Sequence, residues 1–478
     1  MNDPGKVRNV ALVGHRGTGK TSLFEALLYE AGVITRLGSV AEGTTVSDWD
    51  EDEKKRQLSL SATLAHVDRA GLTFDLVDTP GDPSFLADTI AALHVVETAV
   101  MVVNSVLGVE VQTERLWKRA ADRGLARMFF CNMLDRERAD LEAAVSALQE
   151  AFGPQVVAAH LPIGREHDLK GVVDLLTMKA FLYESGKAQV ADIPAELADE
   201  ASAARDKLID AIASTDDDLA EKYLMEEEIT ADELARAFAA AVAGGQLFPV
   251  ACGSATRQIG VDLLFGLLAL TPSPADVAPP VAVGPDGAEV TLACDPARPV
   301  AAFVFKTLAD PFSGHVNVFR VFQGTVASDS QLVVARDGHK ERLGQLLKPM
   351  GKEMKPVDKL VAGDIGAIAK LKDVVTGDTL CAEGNVVSFP AIAFPAPLMS
   401  FAVTAKSKGE EDKVLAALKR LAEEDPMLDI HRDPQTGEMI IGGMSQVHVE
   451  VTVERMKRRF GTEVELKPPR VPYRETIK

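Results

Sequence analysis

VALVGHRGTGKTSLFEALL, residues 10–28, is an apolar strand, a turn bounded by glycines and then a helical run. Gly14 and Gly19 let the backbone wrap closely around phosphate oxygens, while successive N–H groups and the start of the helix point at negative charge. The stretch is therefore a phosphate-binding loop, with Gly14, His15, Arg16, Gly17, Thr18, Gly19, Lys20, Thr21 and Ser22 as its cradle. Lys20 is placed to reach the β- and γ-phosphates, and Thr21 offers a hydroxyl to a Mg²⁺ that bridges them. A strand before and a helix after are the context this motif requires.

Downstream, residues 38–57 carry AEGTTVSDWDEDEKKRQ, so charged and weakly hydrophobic that a mobile loop is expected rather than a packed element. An alternating strand (SATLAHVD) follows, then a Gly71 turn and a second strand, LTFDLVDTPG. Asp78 falls at the carboxyl end of that strand, where parallel α/β sheets present ligand-binding groups. There it can hold the Mg²⁺ shell while the Gly81 amide meets the γ-phosphate.

Two further strands, TAVMVVNSV and ARMFFCNMLD, lead to Asn132, Met133 and Asp135, and much later LFPVACGSA ends at Gly253, Ser254 and Ala255. A carboxylate at Asp135 accepts the paired N–H bonds that guanine offers and adenine does not. A backbone N–H within 253–255 is expected to meet the base carbonyl. Strands alternating with helices, all with ligand groups at their carboxyl ends, predict a doubly wound sheet.

The chain has 478 residues, more than one core accommodates, with ordinary hydrophobic (46%) and charged (26%) content. No apolar run approaches the roughly 18 residues of a membrane span, and the N-terminus lacks the apolar core of a signal peptide. Cys131, Cys252, Cys294 and Cys381 stand far apart without metal-ligand spacing, which predicts reduced, mostly buried thiols of a cytosolic protein. A net charge of −20 argues against indiscriminate nucleic-acid binding, so an RNA partner must be met by local basic patches. The candidates lie within 336–359 and 455–459, each with the alternative of a solvated face.

These motifs, in this order and spacing, resemble the translation GTPases, and most closely the elongation factor G family. The likeness extends to LPIGREHDLKGVVDLLTMKA (161–180), which resembles the start of that family's inserted subdomain. GGMSQVHVEVTVERMKRRFG (442–461) and PYRETI (472–477) resemble its third domain and the entry to its fourth. The resemblance implies GTP or GDP with Mg²⁺ as ligands, the ribosome (ribosomal RNA and proteins) as partner, a cytoplasmic monomer, and GTPase activity. The expected architecture is multidomain α/β. A P-loop GTPase domain spans 1–275 with an inserted subdomain at about 162–245, a β-barrel domain spans 290–392, and a ferredoxin-like, split βαβ domain spans 397–475. TPSPADVAPP and FPAPLM are the linkers, and short strands broken by Gly and Asp suggest that the barrel is closed. The resemblance further implies a second domain resting on small-subunit ribosomal RNA. The chain stops at Lys478, where the family continues into two more domains, so a shortened form or an abbreviated homologue is expected.

Five residues depart from the family pattern around the γ-phosphate and base: Arg16, Gly17, Ser59, Asp82 and Met133. Asp82 stands where the resemblance places the histidine that orients the attacking water, and a carboxylate donates no imidazole N–H. Arg16 and Gly17 replace an apolar residue and an aspartate. Ser59 keeps the hydroxyl of the Mg²⁺-binding threonine, giving Thr21, Ser59 and Asp78 as metal ligands. Met133 replaces a lysine whose stem covers the base. Arg16 and Asp82 either form a salt bridge across the γ-phosphate, or Arg16 acts as an internal arginine finger, or Arg16 points to solvent while Asp82 caps the helix starting near Pro83. Asp82, Arg16 and Ser59 are thus the candidate catalytic positions. The functional readings are a ribosome-linked GTPase with slow turnover, or a nucleotide-dependent ribosome-binding switch with no significant hydrolysis. A ribosomal protection protein is a third reading, which needs the further domains.

Overall fold

Strand β1 (Val7–Val13) is buried at every position but Arg8, as the central strand of a sheet covered on both faces must be. The computed structural model describes residues 3–184, 186–225, 227, 229–310, 314–371, 373–407 and 409–471. It divides into two compact units, the first made of Met1–Gly81, Ala92–Ala278 and Pro349–Met354, the second of Asp82–Ala91, Pro279–Lys348 and Lys355–Lys478.

In chain order the first unit contains β1, α1 (Lys20–Glu30), α2 (Glu51–Arg56), β2 (Thr63–Arg69), β3 (Leu72–Asp78), β4 (Thr98–Asn104), α4 (Val111–Asp122), β5 (Ala126–Asn132), α5 (Leu141–Phe152) and β6 (Val156–Ala158), while α3 (Ala87–Ala92) between β3 and β4 falls almost wholly in the second. After an insertion the first unit closes with β11 (Phe248–Cys252) and α9 (Val261–Ala269). The seven strands lie in the order β2-β3-β1-β4-β5-β11-β6. Only β2 is antiparallel to its neighbour. Parallel neighbours need a crossover, and the helices provide it, leaving the carboxyl ends of the six parallel strands on one edge. The core under that edge is built from Leu12, Leu23, Phe24, Leu27, Phe74, Leu76, Val100 and Phe130.

The insertion comprises β7 (His160–Ile163), β8 (Gly171–Asp174), β9 (Lys179–Glu184) and β10 (Lys187–Ala191) in one antiparallel sheet, then α6 (Ala198–Ala213), α7 (Asp217–Leu224) and α8 (Ala231–Ala243). The acidic, alanine-rich runs are these helices, with Leu208, Ile212, Leu234 and Phe238 on their buried side.

Cys131 and Cys252 are register partners across β5 and β11, both fully buried. Burial pushes the Cys131 thiol up to about 12 and raises that of Cys252, whose neighbour Cys131 adds to the effect. Cys381 is also buried, its Sγ–H donating to the Val387 carbonyl at 2.9 Å, and burial raises its thiol too. Cys294 is half-buried.

Short strands, all in the second unit except the segment Pro349–Met354, form a half-barrel. Its ladder runs Lys340–Arg342, Gln331–Val334, Thr379–Cys381, Ala301–Asp310, Gly314–Gln323, Ile365–Ala369, Leu346–Met350 and Glu353–Val357, beside a separate two-strand ladder of Thr325–Ala327 and Lys359–Val361. The remainder is Met399–Ala405, a helix Glu411–Glu424, Asp429–Arg432, Met439–Gly443, a helix Gln446–Phe460 and Val464–Lys467. Its sheet order places the first strand between the third and the fourth, the ferredoxin-like split βαβ arrangement. Val403, Leu418, Leu421, Ile441, Val449 and Met456 fill its core. PYRETI (472–477) lies outside the described residues.

Candidate functional site

The turn after β1 closes onto α1 through Gly19, whose φ of +87° is left-handed, and a Cβ there would strike the Asn132 amide nitrogen. Lys20 opens α1 and is buried, its Nζ donating to the carbonyls of Gly14 at 3.0 Å and His15 at 2.8 Å. Burial pushes its ammonium down to about 8, against the opposing pull of Asp78, Asp48 and Glu110. A cation so short of water is favoured by an anion brought beside it. Thr18 Oγ1 donates to the His15 carbonyl at 3.0 Å. His15 Nε2 stands 3.5 Å from Glu110 Oε1, Arg16 and Gly17 are exposed, and Ser22 is half-buried on the first turn of α1.

Asn132, at the end of β5, ties three segments together. Its Nδ2 donates to the Thr18 carbonyl at 2.9 Å and its Oδ1 accepts the Ala255 N–H at 3.0 Å. Met133 takes a left-handed φ of +65°, which turns the chain, and Leu134 N donates to the Gly253 carbonyl at 3.2 Å. Asp135 is half-buried. All three backbone N–H groups of 253–255 are engaged within the protein: Gly253 on the Cys131 carbonyl, Ser254 on the Ile259 carbonyl, and Ala255 on Asn132, each at 3.0 Å.

At the other end of the loop, Thr21 Oγ1 donates to Asp78 Oδ2 at 2.8 Å and lies 3.1 Å from Ser59 Oγ. Ser47 Oγ donates to the same Asp78 oxygen at 2.6 Å, and the Ser47 carbonyl accepts from Thr63 Oγ1 at 3.0 Å. Asp48 is buried nearby. Burial and then the Asp48 charge push the Asp78 carboxyl up to about 7, against hydrogen bonds from Ser47 and Thr21 and the Lys20 charge. Asp48 is itself raised by burial, opposed by a hydrogen bond from Ser59 and by Lys20. Among the described residues Asp78 Oδ1 and Asp48 Oδ1 are buried with no hydrogen-bond partner. Two carboxylate oxygens left bare beside hydroxyls form a hard, incomplete oxygen set, which suits a cation that takes its other ligands from water and phosphate. Among the described residues no group of three or more His, Cys, Asp or Glu side chains makes a closed metal cage.

The mobile loop expected over 38–57 is instead folded. Asp50 and Glu53 form a capping box that starts α2, with Asp50 accepting the Asp52 N–H at 2.9 Å and Glu53 Oε2 accepting the Asp50 N–H at 3.3 Å. Glu53 Oε1 also accepts the N–H groups of Leu60 and Ser61 at 2.9 and 3.1 Å, which places Ser59. From α1, Glu25 Oε1 accepts the Val46 N–H at 2.5 Å. Charge here marked packing around a polar site, not solvent. Ser47, Asp48, Glu25 and Glu53 escaped sequence reading, although the Asp50-x-x-Glu53 box was a signal for the helix.

Past Gly81, Asp82 is buried and its Oδ1 accepts the Ser84 N–H at 2.9 Å, capping the single turn Pro83–Phe85. Within the second unit that segment is well held. Ser84 Oγ lies 2.8 Å from Ser445 Oγ, the Phe85 ring meets His448 edge-on at 5.5 Å, and Asp88 pairs with the buried Lys306. His448 Nδ1 accepts the Met444 N–H at 3.1 Å, so its proton sits on Nε2, 2.7 Å from Asp425 Oδ2. His94 lies in the turn after α3 rather than on a helix face, and burial and then Arg123 and Arg119 push it down to about 4, so it is neutral at neutral pH.

Of the two basic patches, 455–459 is drawn into internal pairs, Lys457 with Glu463 and Arg459 with Glu424, both at 2.7 Å. In 336–359, Arg336 pairs with Asp378 at 3.2 Å and Lys340 with Glu383 at 2.6 Å, while Arg342, Lys355 and Lys359 are exposed. Among the described residues no helix is long and apolar enough to cross a membrane.

Residues 5–277 match the elongation factor Tu GTP binding domain, 299–383 match elongation factor G domain 2, and 394–468 match elongation factor G domain III. A crystal structure of a protein from Thermus thermophilus is similar over 99% of this chain and 69% of its own, with a TM-score of 0.89 at 35% identity.

Proposed function

The chain belongs to the elongation factor G-like translation GTPases, and from that membership we propose that it is a cytoplasmic, monomeric factor that binds GTP with Mg²⁺, engages the ribosome and cleaves GTP slowly. The observation that carries the nucleotide site is the pair of bare, buried carboxylate oxygens on Asp78 and Asp48 beside the Thr21 and Ser59 hydroxyls and Lys20. In this reading Lys20 exchanges the Gly14 and His15 carbonyls for phosphate oxygens. Thr21, Ser59 and Asp78 would hold Mg²⁺, which when bound would supply positive charge to offset that of the phosphates. Gly81 lends its N–H to the γ-phosphate. Asp135 takes the guanine N–H pair, Met133 covers the base, and the Ala255 N–H passes from Asn132 Oδ1 to the base carbonyl. Ribosome binding finds support in the family and in the exposed cations Arg342, Lys355 and Lys359 on a chain of net charge −20.

Slow hydrolysis rests on Asp82. Its carboxylate accepts the Ser84 N–H, so it serves as a turn cap, and it has no proton-bearing nitrogen with which to orient water. The same observation favours a second reading, a switch that holds GTP at the ribosome and does not cleave it. The test is equilibrium binding of fluorescent GTP, GDP and ATP, followed by pelleting with ribosomes and single-turnover cleavage. Guanine-selective binding and nucleotide-dependent pelleting are expected; equal affinity for ATP, or pelleting indifferent to nucleotide, contradicts the proposal.

A pH dependence follows from Asp78. With its carboxyl raised to about 7 in the nucleotide-free protein, Mg²⁺ must displace a proton at lower pH. Affinity for Mg²⁺ in the GDP complex is expected to fall by up to about tenfold per unit as pH drops below about 7. Titration of Mg²⁺ against fluorescent-nucleotide release at pH 6 and pH 8 checks this, and equal midpoints would remove Asp78 from the metal site.

A further inference from the structure

Val46 is gripped from two sides. On the side of α1, its N–H donates to Oε1 of Glu25, a residue only 1% exposed. On the other, Gly351 of the segment Pro349–Met354 donates its own N–H to the Leu64 carbonyl of β2 at 2.8 Å. Gly351 has a φ of +59°, and a Cβ there would stand 2.8 Å from the Val46 carbonyl oxygen and closer still to its Cγ1. Only a residue without a side chain fits. The two residues after Val46 are Ser47, bound to Asp78, and Asp48, whose Oδ1 is bare.

We propose that Glu25 and Gly351 are positioning residues: they hold Val46 between them and so set Ser47 and Asp48 at the magnesium side of the nucleotide site. The proposal rests on the Mg²⁺–nucleotide reading above. Two buried carboxylates sharing one pocket repel each other and lose hydration, so a loop free to move would carry Asp48 out to water. Hydrogen bonds to a fixed helix and steric contact with a fixed glycine oppose that movement. Neither residue belongs to the phosphate or base cradle. Loss of either therefore weakens what depends on the cation and spares what depends on residues 14–22 and 132–135.

Trp49 follows Asp48 in the same loop and is half-buried, whereas the other tryptophan, Trp117, is buried in a stack with Phe129. Acrylamide quenching in the nucleotide-free full chain thus reports on this loop. The experiment compares Gly351→Ala, Glu25→Leu and Glu25→Gln with the native chain, by quenching of Trp49 and by release of fluorescent GDP in excess Mg²⁺ and in EDTA. Gly351→Ala and Glu25→Leu are expected to expose Trp49 to quencher. In Mg²⁺ they should release GDP about tenfold faster, the effect of one lost charge-assisted hydrogen bond or its steric equivalent, with native release in EDTA. Glu25→Gln keeps an oxygen acceptor for the Val46 N–H and should behave as native in both measurements. Native Mg²⁺ dependence in Gly351→Ala overturns the proposal, as does faster release that is equal in Mg²⁺ and EDTA, since that marks general damage to the pocket. Glu25→Gln matching Glu25→Leu overturns the hydrogen-bond half. A native chain that fails to bind fluorescent GDP, or binds it without Mg²⁺ dependence, instead refutes the nucleotide reading beneath it.

Discussion

Asp82→His is expected to raise single-turnover GTP cleavage in the presence of ribosomes by at least about 10²-fold, the lower range for a positioned proton-transfer group. The native side chain is an acceptor only, and its Oδ1 is engaged by the Ser84 N–H. Histidine at this position supplies a ring N–H that can orient water against the γ-phosphate, the arrangement the family resemblance implies. The substitution also removes a cap from the turn Pro83–Phe85, costing about 1 kcal/mol of stability. Asp82→Asn separates these effects, because the amide oxygen keeps the cap while the negative charge disappears. Its turnover should stay near native. A gain in Asp82→Asn equal to that in Asp82→His would assign the silence to charge repulsion alone. Fast cleavage by the native chain on ribosomes would refute the slow-turnover proposal outright.

Lys20→Met is expected to lower guanine-nucleotide affinity by about 10³-fold, the equivalent of two charge-assisted hydrogen bonds to phosphate. The nucleotide-free protein should show no matching loss of stability. Its Lys20 ammonium is buried and lowered from 10.5 to about 8. The unfolded chain therefore binds the proton more readily than the folded one, and at pH 7 the buried charge costs the fold roughly 3 kcal/mol. The sign fixes a second observable. Native stability without nucleotide should rise as pH climbs from about 8 to 10.5 in proportion to the Lys20 share, and Lys20→Met should lose that share of the rise. Calorimetry with and without GDP reads both. Equal melting-temperature losses with and without nucleotide would show Lys20 to be a packing residue.

The nucleotide motifs were legible in sequence because their information is local. Gly19 must adopt a left-handed backbone, Lys20 must open a helix, and Asp78 must end a strand, and each requirement shows within a few residues of itself. The folded loop around Asp48 was not legible, because its packing partners are carboxylates and hydroxyls, which composition alone assigns to solvent. Glu25 carries no motif of its own on α1, and only the fold brings the Val46 N–H to it. Gly351 lies about 300 residues from Val46, and no periodicity links them. Two of the occupied amides of 253–255 were likewise hidden, since Cys131 and Asn132 reach them only through the fold.

Cys131 and Cys252 face one another in the floor of the sheet, and Cys381 is closed off beneath Val387. All three thiols are both shielded and held protonated, and thiol alkylation needs an accessible thiolate. The native protein is therefore a ready-made single-site substrate for maleimide dyes, which near neutral pH should attach at Cys294 with a stoichiometry of one. A fluorophore or spin label can follow this molecule through a nucleotide cycle with no cysteine removed from its sequence.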